Sequence, residues 1–181
     1  MTATTRMLTV FPVLTGVLTA GCLLIGATEH RIRFRDDGSG EARLRLIDIR
    51  SDGETDSAVA LDLTIMLSSF RDEGVKDFER GGRRIRSKQF IVHGDTLTAE
   101  VIYAFAGPED IEGLVVTRDE MYVIVGQGRT VAHTNGTIVP IGGGSVKVVW
   151  SADARRLSYE IRETALPPSV PLARWYQSAQ E

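Results

Sequence analysis

The chain has 181 residues, 43% of them hydrophobic and 25% charged, with 24 acidic and 21 basic side chains. That is enough chain for one domain with a buried core and too ordinary a composition for wholesale disorder, and the slight acidity argues against a dedicated nucleic-acid binder. A single Cys excludes an intramolecular disulfide and a multi-Cys zinc site.

Residues 1–6 are polar with one positive charge, Arg6, and an apolar run follows from Met7. A short basic stretch, an apolar run and small residues before a cut site make a secretory signal peptide. Its end, Leu18-Thr19-Ala20-Gly21-Cys22, resembles a bacterial lipobox. The resemblance implies that Cys22 is diacylated on sulfur, that the peptide is cut before it, and that Leu18, Thr19, Ala20 and Gly21 are read as the signal. The Leu usual three residues before the Cys stands one place further out, at Leu18, with Thr19 in its position. The apolar run also continues to Ala27, so Met7–Thr28 is long enough to serve instead as an uncleaved anchor. Either way the protein is expected in the cell envelope, tethered to a bilayer by its N-terminus. Leu23 after the Cys resembles outer-membrane sorting, facing the periplasm, if the organism has two membranes. The expected organisation is a signal peptide over 1–21, a short tether over 22–28, a single domain over 29–166 and a Pro-rich exposed tail over 167–181.

His30 to Arg35 alternates: Ile32 and Phe34 face one way, Arg31, Arg33 and Arg35 the other, as in a half-buried strand. Asp36-Asp-Gly-Ser-Gly40 is a turn, and Glu41 to Arg50 returns as a strand. Its apolar set changes phase near Leu46 or Ile47, which suggests a bulge. Ser57 to Phe70 fits two periods. Val59, Leu63, Met66 and Phe70 recur at helical spacing, while Val59 to Leu67 also alternates; the Ser/Asp-rich approach and the length favour a helix. More helix is expected over Glu73–Arg80, stopped by Gly81-Gly82. Strands are expected over Arg83–Val92, Thr96–Phe105, Leu114–Thr117, Met121–Val125, Thr130–Thr134, Thr137–Ile141, Val146–Trp150 and Arg156–Glu163. Asn135-Gly136 between two β-formers is a strong hairpin signal. Three of the six Pro fall in Pro167–Pro171, so the tail should leave the sheet there. The expected fold is α+β: a curved antiparallel sheet built from hairpins with one or two helices packed on one face.

The order of these pieces resembles the LppM-like domain of secreted bacterial lipoproteins. Thr134-Asn-Gly-Thr137, Val148-Val-Trp150, Asp36-Asp-Gly-Ser-Gly40 and Tyr103-Ala-Phe105 carry the likeness. It implies a membrane-anchored α+β domain with lipid or envelope contacts, and it implies no catalytic residues.

The three histidines, His30, His93 and His133, show no metal-ligand spacing, so no metal site is expected. No Gly-x-Ser-x-Gly elbow and no phosphate-loop pattern is present. No catalytic constellation and no cofactor is therefore expected. The feature that remains is basic: Arg31, Arg33 and Arg35 on one strand face, Arg43 and Arg45 across the hairpin, and a second basic strand with Arg84, Arg86 and Lys88. Like charges opposite each other cost stability unless neutralised. Pairing with Glu29, Glu41, Asp77, Glu79 or Glu100 is one resolution; an anionic lipid or envelope polymer, held at high effective concentration by the tether, is the other. A second possible role is a structural subunit of an envelope assembly, docking an envelope protein through Leu172-Ala-Arg-Trp-Tyr176.

Overall fold

The computed structural model describes residues 23–180. The residues expected to be read as a signal, Leu18–Gly21, and the expected lipidation site, Cys22, lie outside the described residues.

The fold is α+β. Chain order is β1 (Leu23–Phe34), β2 (Gly40–Ser51), α1 (Asp56–Ser69), α2 (Asp72–Glu79), β3 (Arg84–His93), β4 (Thr96–Phe105), a 3-10 turn (Pro108–Asp110), β5 (Val115–Val116), β6 (Glu120–Val125), β7 (Arg129–Thr134), β8 (Thr137–Gly142), β9 (Ser145–Ser151), β10 (Arg156–Glu163), β11 (Val170–Pro171) and α3 (Ala173–Ser178). The strands form two sheets rather than the single sheet expected from sequence. A large sheet runs β3-β4-β2-β1-β10-β7, with β11 added on β2, and a small one runs β5-β6-β9-β8. Strand pairing is antiparallel in both.

Alternation explains why the sheets stack. Ile32, Phe34, Ala42, Leu44, Val101, Tyr103, Leu157 and Tyr159 project from one face of the large sheet. They form one core with Met121, Val123, Val125, Val148 and Trp150 of the small sheet. A second core on the same face joins Leu97 and Ala99 to Val59, Leu63 and Met66 of α1. The helical period wins over Ser57–Phe70 because the start is capped: Thr55 Oγ1 accepts from the Ala58 amide at 3.3 Å. The end is held too, since Lys88 Nζ donates to the Phe70 carbonyl at 2.5 Å.

Four sequence expectations need correction. Residues 23–28 are not a tether: β1 begins at Leu23, Ala27 is buried, and Leu23 packs against the second core. The tail is exposed only in part: Pro167, Pro168, Arg174 and residues 177–180 face solvent, but its centre is docked. Val170 and Pro171 pair with β2, Leu172 and Ala173 are fully buried, and Trp175 and Tyr176 pack beside them. Leu172 and Ala173 are thus used internally, with Trp175 and Tyr176 half-buried against the same core. The phase change in β2 is not a bulge at Leu46 or Ile47, because the β1–β2 register runs through it unbroken. The backbone inverts at Asp48, whose φ is +59°, and this turns Ile49 and Ser51 toward α1. Finally, Asn135-Gly136 is not a hairpin turn. β7 pairs with β10 in the large sheet and β8 with β9 in the small one, so the dipeptide is the corner where the chain changes sheets.

That corner is tightly specified. Asn135 Oδ1 accepts from Trp150 Nε1 and from the Ser158 amide, both at 2.8 Å, and Asn135 Nδ2 donates to the Arg156 carbonyl at 2.9 Å. Gly136 lies against the indole: a Cβ there would sit 2.7 Å from Trp150 Cε2. Glycine is needed for that close approach, not for a hairpin φ.

Candidate anion-binding face

The opposite face of the large sheet carries the polar residues of every alternating strand. The register arranges them in rows across the sheet. One row runs His133, Glu160, Glu29, Arg45, Glu100, Gln89. The next runs Ser158, Arg31, Arg43, Ile102, Ser87. The third, toward the β1–β2 turn, runs Arg156, Arg33, Glu41, Ala104, Arg84.

The first row is largely neutralised. Glu29 and Glu100 are both buried. Glu29 takes Arg31 Nε at 2.5 Å and Arg45 Nη1 at 3.0 Å. Glu100 lies 3.7 Å from Nε of both Arg43 and Arg45, and accepts from Gln89 Nε2 at 2.9 Å. Burial pushes the Glu29 pKa up, but the hydrogen bonds and charges of Arg31 and Arg45 outweigh it, and the pKa ends below its ordinary value. Glu160 is held by Arg162 Nε at 2.6 Å.

The third row is different. Arg33 stands directly opposite Arg156. Arg31 and Arg43 in the row beside it also stand opposite each other, and all four are exposed. Arg31 and Arg43 lean to carboxylates of the first row. Among the described residues, no hydrogen bond or ion pair engages the side chains of Arg33, Arg84 or Arg156. The exposed end of this face is therefore a set of guanidinium groups with one acid, Glu41, among them.

The sequence expectations are met unevenly here. The structure brings Arg31, Arg33, Arg43, Arg45 and Arg84 onto one face. Arg35 lies beyond β1 and donates to Ser39 Oγ at 3.3 Å in the turn. Arg86 sits at a register slip between Ile85 and Ser87. That slip reverses the parity of β3, so Lys88 lies on the helix side of the sheet, opposite Val101, and does not belong to the basic face. Arg156 was missed. The alternation Arg156-Leu-Ser-Tyr-Glu-Ile-Arg162 marks it as outward-facing, but nothing local says that β10 lies beside β1.

Beside Arg31 is a shallow, open depression of about 270 Å³, lined by Glu29, Arg31, His133, Ser158, Tyr159 and Glu160. It places an exposed imidazole near a serine and two carboxylates, with no hydrogen bond between Ser158 and His133. On the inner side of the same strands, the His30 ring stacks on Tyr159 with centroids 4.7 Å apart and 10° between planes. Its Nδ1 is shut off from solvent with no hydrogen-bond partner. Burial pulls the His30 pKa down to about 4, against a smaller opposing pull from Glu29. Burial also pushes the Tyr159 pKa well above its usual value.

Among the described residues, no group of three or more His, Cys, Asp or Glu is placed to hold a metal ion, and no helix is long and apolar enough to cross a membrane. Compared with protein-family models, curated proteins and solved structures, the chain finds no match.

Proposed function

We propose that the protein is a lipid-anchored, non-catalytic lipoprotein of the bacterial envelope with an LppM-like domain, tethered through Cys22, whose arginine face binds an anionic envelope polymer. The observation that carries the reading is the placement of Arg33 directly opposite Arg156 on an exposed face, with no ion pair at either among the described residues. Such a juxtaposition destabilises a sheet by roughly 0.2–1 kcal/mol. A multivalent ligand bearing phosphate or carboxylate groups would relieve it, and guanidinium groups bind both in bidentate fashion. Placement favours a polymer over the headgroups of the protein's own bilayer. Arg33 lies ten residues along β1 from Leu23, roughly 30 Å at the strand rise, so a domain standing on Cys22 presents this end away from the membrane.

Two measurements test the reading. Intact mass of membrane-extracted protein, wild type beside Cys22→Ala, should show loss of residues 1–21 and added acyl mass in the wild type only; a full-length, unmodified wild-type chain overturns the anchor. Binding to polyphosphate should weaken at least about tenfold in Arg33→Glu/Arg156→Glu, at about 1 kcal/mol per charge removed. Unchanged binding by the folded double variant overturns the face.

A further inference from the structure

The small sheet ends in an unusual edge. β8 is its outermost strand, and all six of its residues are exposed. Ile138, Val139 and Ile141 are 46%, 40% and 48% exposed. Ile124 of β6, aligned with Val139 across Lys147, is 56% exposed. From Thr130 to Val146 the chain carries no Lys, Arg, Asp or Glu, although a quarter of all its residues are charged. The charge of Lys147, between Ile124 and Val139, is paired with Glu120 and lies 4.0 Å over the Tyr122 ring. Beyond Pro140 the β8–β9 register slips, and Gly142, Gly143 and Gly144 turn the chain with φ of +91°, +60° and +72°. The result is an apolar strand with a narrow tip that bears no side chains.

The position of this tip matters. β6 ends at Val125, which pairs with Val146 beside the glycine turn. A three-residue loop later, β7 begins with Arg129 opposite Glu163, and the neighbouring Arg162 lies opposite Ala27, near the start of β1. The turn also backs onto that loop: a Cβ on Gly144 would lie 3.4 Å from Gln127 Cγ. The glycine tip and the start of β1 at Leu23 therefore share one end of the molecule, the end opposite the unpaired arginines.

We propose that this end is a membrane-contact surface, with Val139, Ile141 and the glycine turn seated in the boundary layer of the bilayer that holds Cys22. The proposal rests on the lipid-anchor reading, since it is the short distance from Cys22 to Leu23 that brings this end to the lipid. A bilayer fits the surface better than a second copy adding to β8. Pro140 has no donor and the register is slipped, two features that blunt an edge against strand addition. Insertion into lipid needs no hydrogen-bonded ladder. It needs uncharged, apolar side chains that can reach about 5–10 Å into the boundary between headgroups and acyl chains, and an anchor keeps them at high effective concentration.

The test uses the full acylated chain reconstituted in phosphatidylcholine vesicles with no anionic lipid, so that the arginine face contributes nothing. Ile141→Trp is compared with Asp36→Trp, in the exposed turn at the far end, against vesicles containing brominated acyl chains. Ile141→Trp emission should shift to the blue and be quenched severalfold more than that of Asp36→Trp, above the background of Trp150 and Trp175. Val139→Trp serves if Ile141→Trp does not fold. Equal quenching at the two ends overturns the proposal. So does a blue shift without quenching that grows with protein concentration, the signature of self-association through β8. Wild-type chain that fails to float with the vesicles overturns the anchor as well; normal flotation with an unquenched tip overturns this inference alone.

Discussion

His30 makes acid stability a sharp test of the packing described above. The imidazole pairs across the strands with Tyr159 and Leu44, and its Nδ1 is enclosed without a partner. The charges next to it in sequence, Glu29 and Arg31, are paired with each other on the other face, where Glu29 also holds Arg45. Tyr159, beneath the ring, is kept neutral by burial. A pKa of about 4 in the folded state, against 6.5 for the free side chain, means that the unfolded chain takes up the proton first on acidification. Stability is therefore full above about pH 6.5 and falls as pH drops toward 4. Between about pH 7.5 and pH 5 the loss is about 2 kcal/mol, at 1.36 kcal/mol per unit over the part of the window crossed. Glu29 works in a lower window. Its folded pKa is depressed from 4.5, so its contribution holds above that value and is lost only below it. Staying above about pH 5 thus isolates His30. The assay is equilibrium urea unfolding of wild type and His30→Phe across this range, with the phenyl ring keeping the stack on Tyr159. Wild type should lose about 2 kcal/mol on going to pH 5 and the variant much less. Equal pH slopes in the two proteins would refute the reasoning, because the buried imidazole would then not be the group that titrates.

Two further outcomes follow from the corner and the tail. Asn135→Ala removes three hydrogen bonds and leaves the buried Trp150 indole N–H without its acceptor, so it should cost roughly 2–4 kcal/mol in urea unfolding, with Asn135→Asp milder because Oδ1 is retained. Leu172→Ala should cost roughly 2–5 kcal/mol, whereas an exposed tail residue would cost almost nothing; a thermal melt distinguishes the two.

The readable parts of this chain were those whose cause is local. Arg31 and Arg33 alternate with Ile32 and Phe34, and the turn at Asp36–Gly40 sends β2 back along β1, so the meeting of Arg31 with Arg43 follows from the hairpin alone. The helix over 56–69 was legible in its length and its polar approach, and burial of Val59, Leu63 and Met66 with Leu61 left exposed decides against the competing period of two. What failed was non-local. Asn135-Gly136 has the chemistry of a hairpin turn, yet the partner of β7 is fixed by β10, more than twenty residues on. Pro167–Pro171 correctly breaks the sheet, yet nothing in it announces that Leu172 will fill a gap between α1 and β4. In the basic face, the slip at Arg86 moved Lys88 to the wrong side, and sheet order brought in Arg156. Local spacing assigns a side chain to a face, but the neighbours on that face come from strand order.

The pairing of Ser51 has a consequence for the order in which the molecule can be completed. On one side it is bonded to β1 at Leu23, and on the other to β11 at Val170. A chain that emerges N-terminus first, from a ribosome or through a translocation pore, delivers these two neighbours at widely separated times. Until Val170–Ala173 arrive, the Arg50–Ser51 end of β2, past the reach of β4, has no neighbour on that side, and the cluster around Leu63 and Leu97 is open to water. Closure of this part of the fold is thus tied to delivery of Val170–Ala173, long after Ser51 has paired with Leu23. Products that stop short of Val170 would display an apolar gap, a mark by which quality-control proteases could tell an unfinished copy from a finished one.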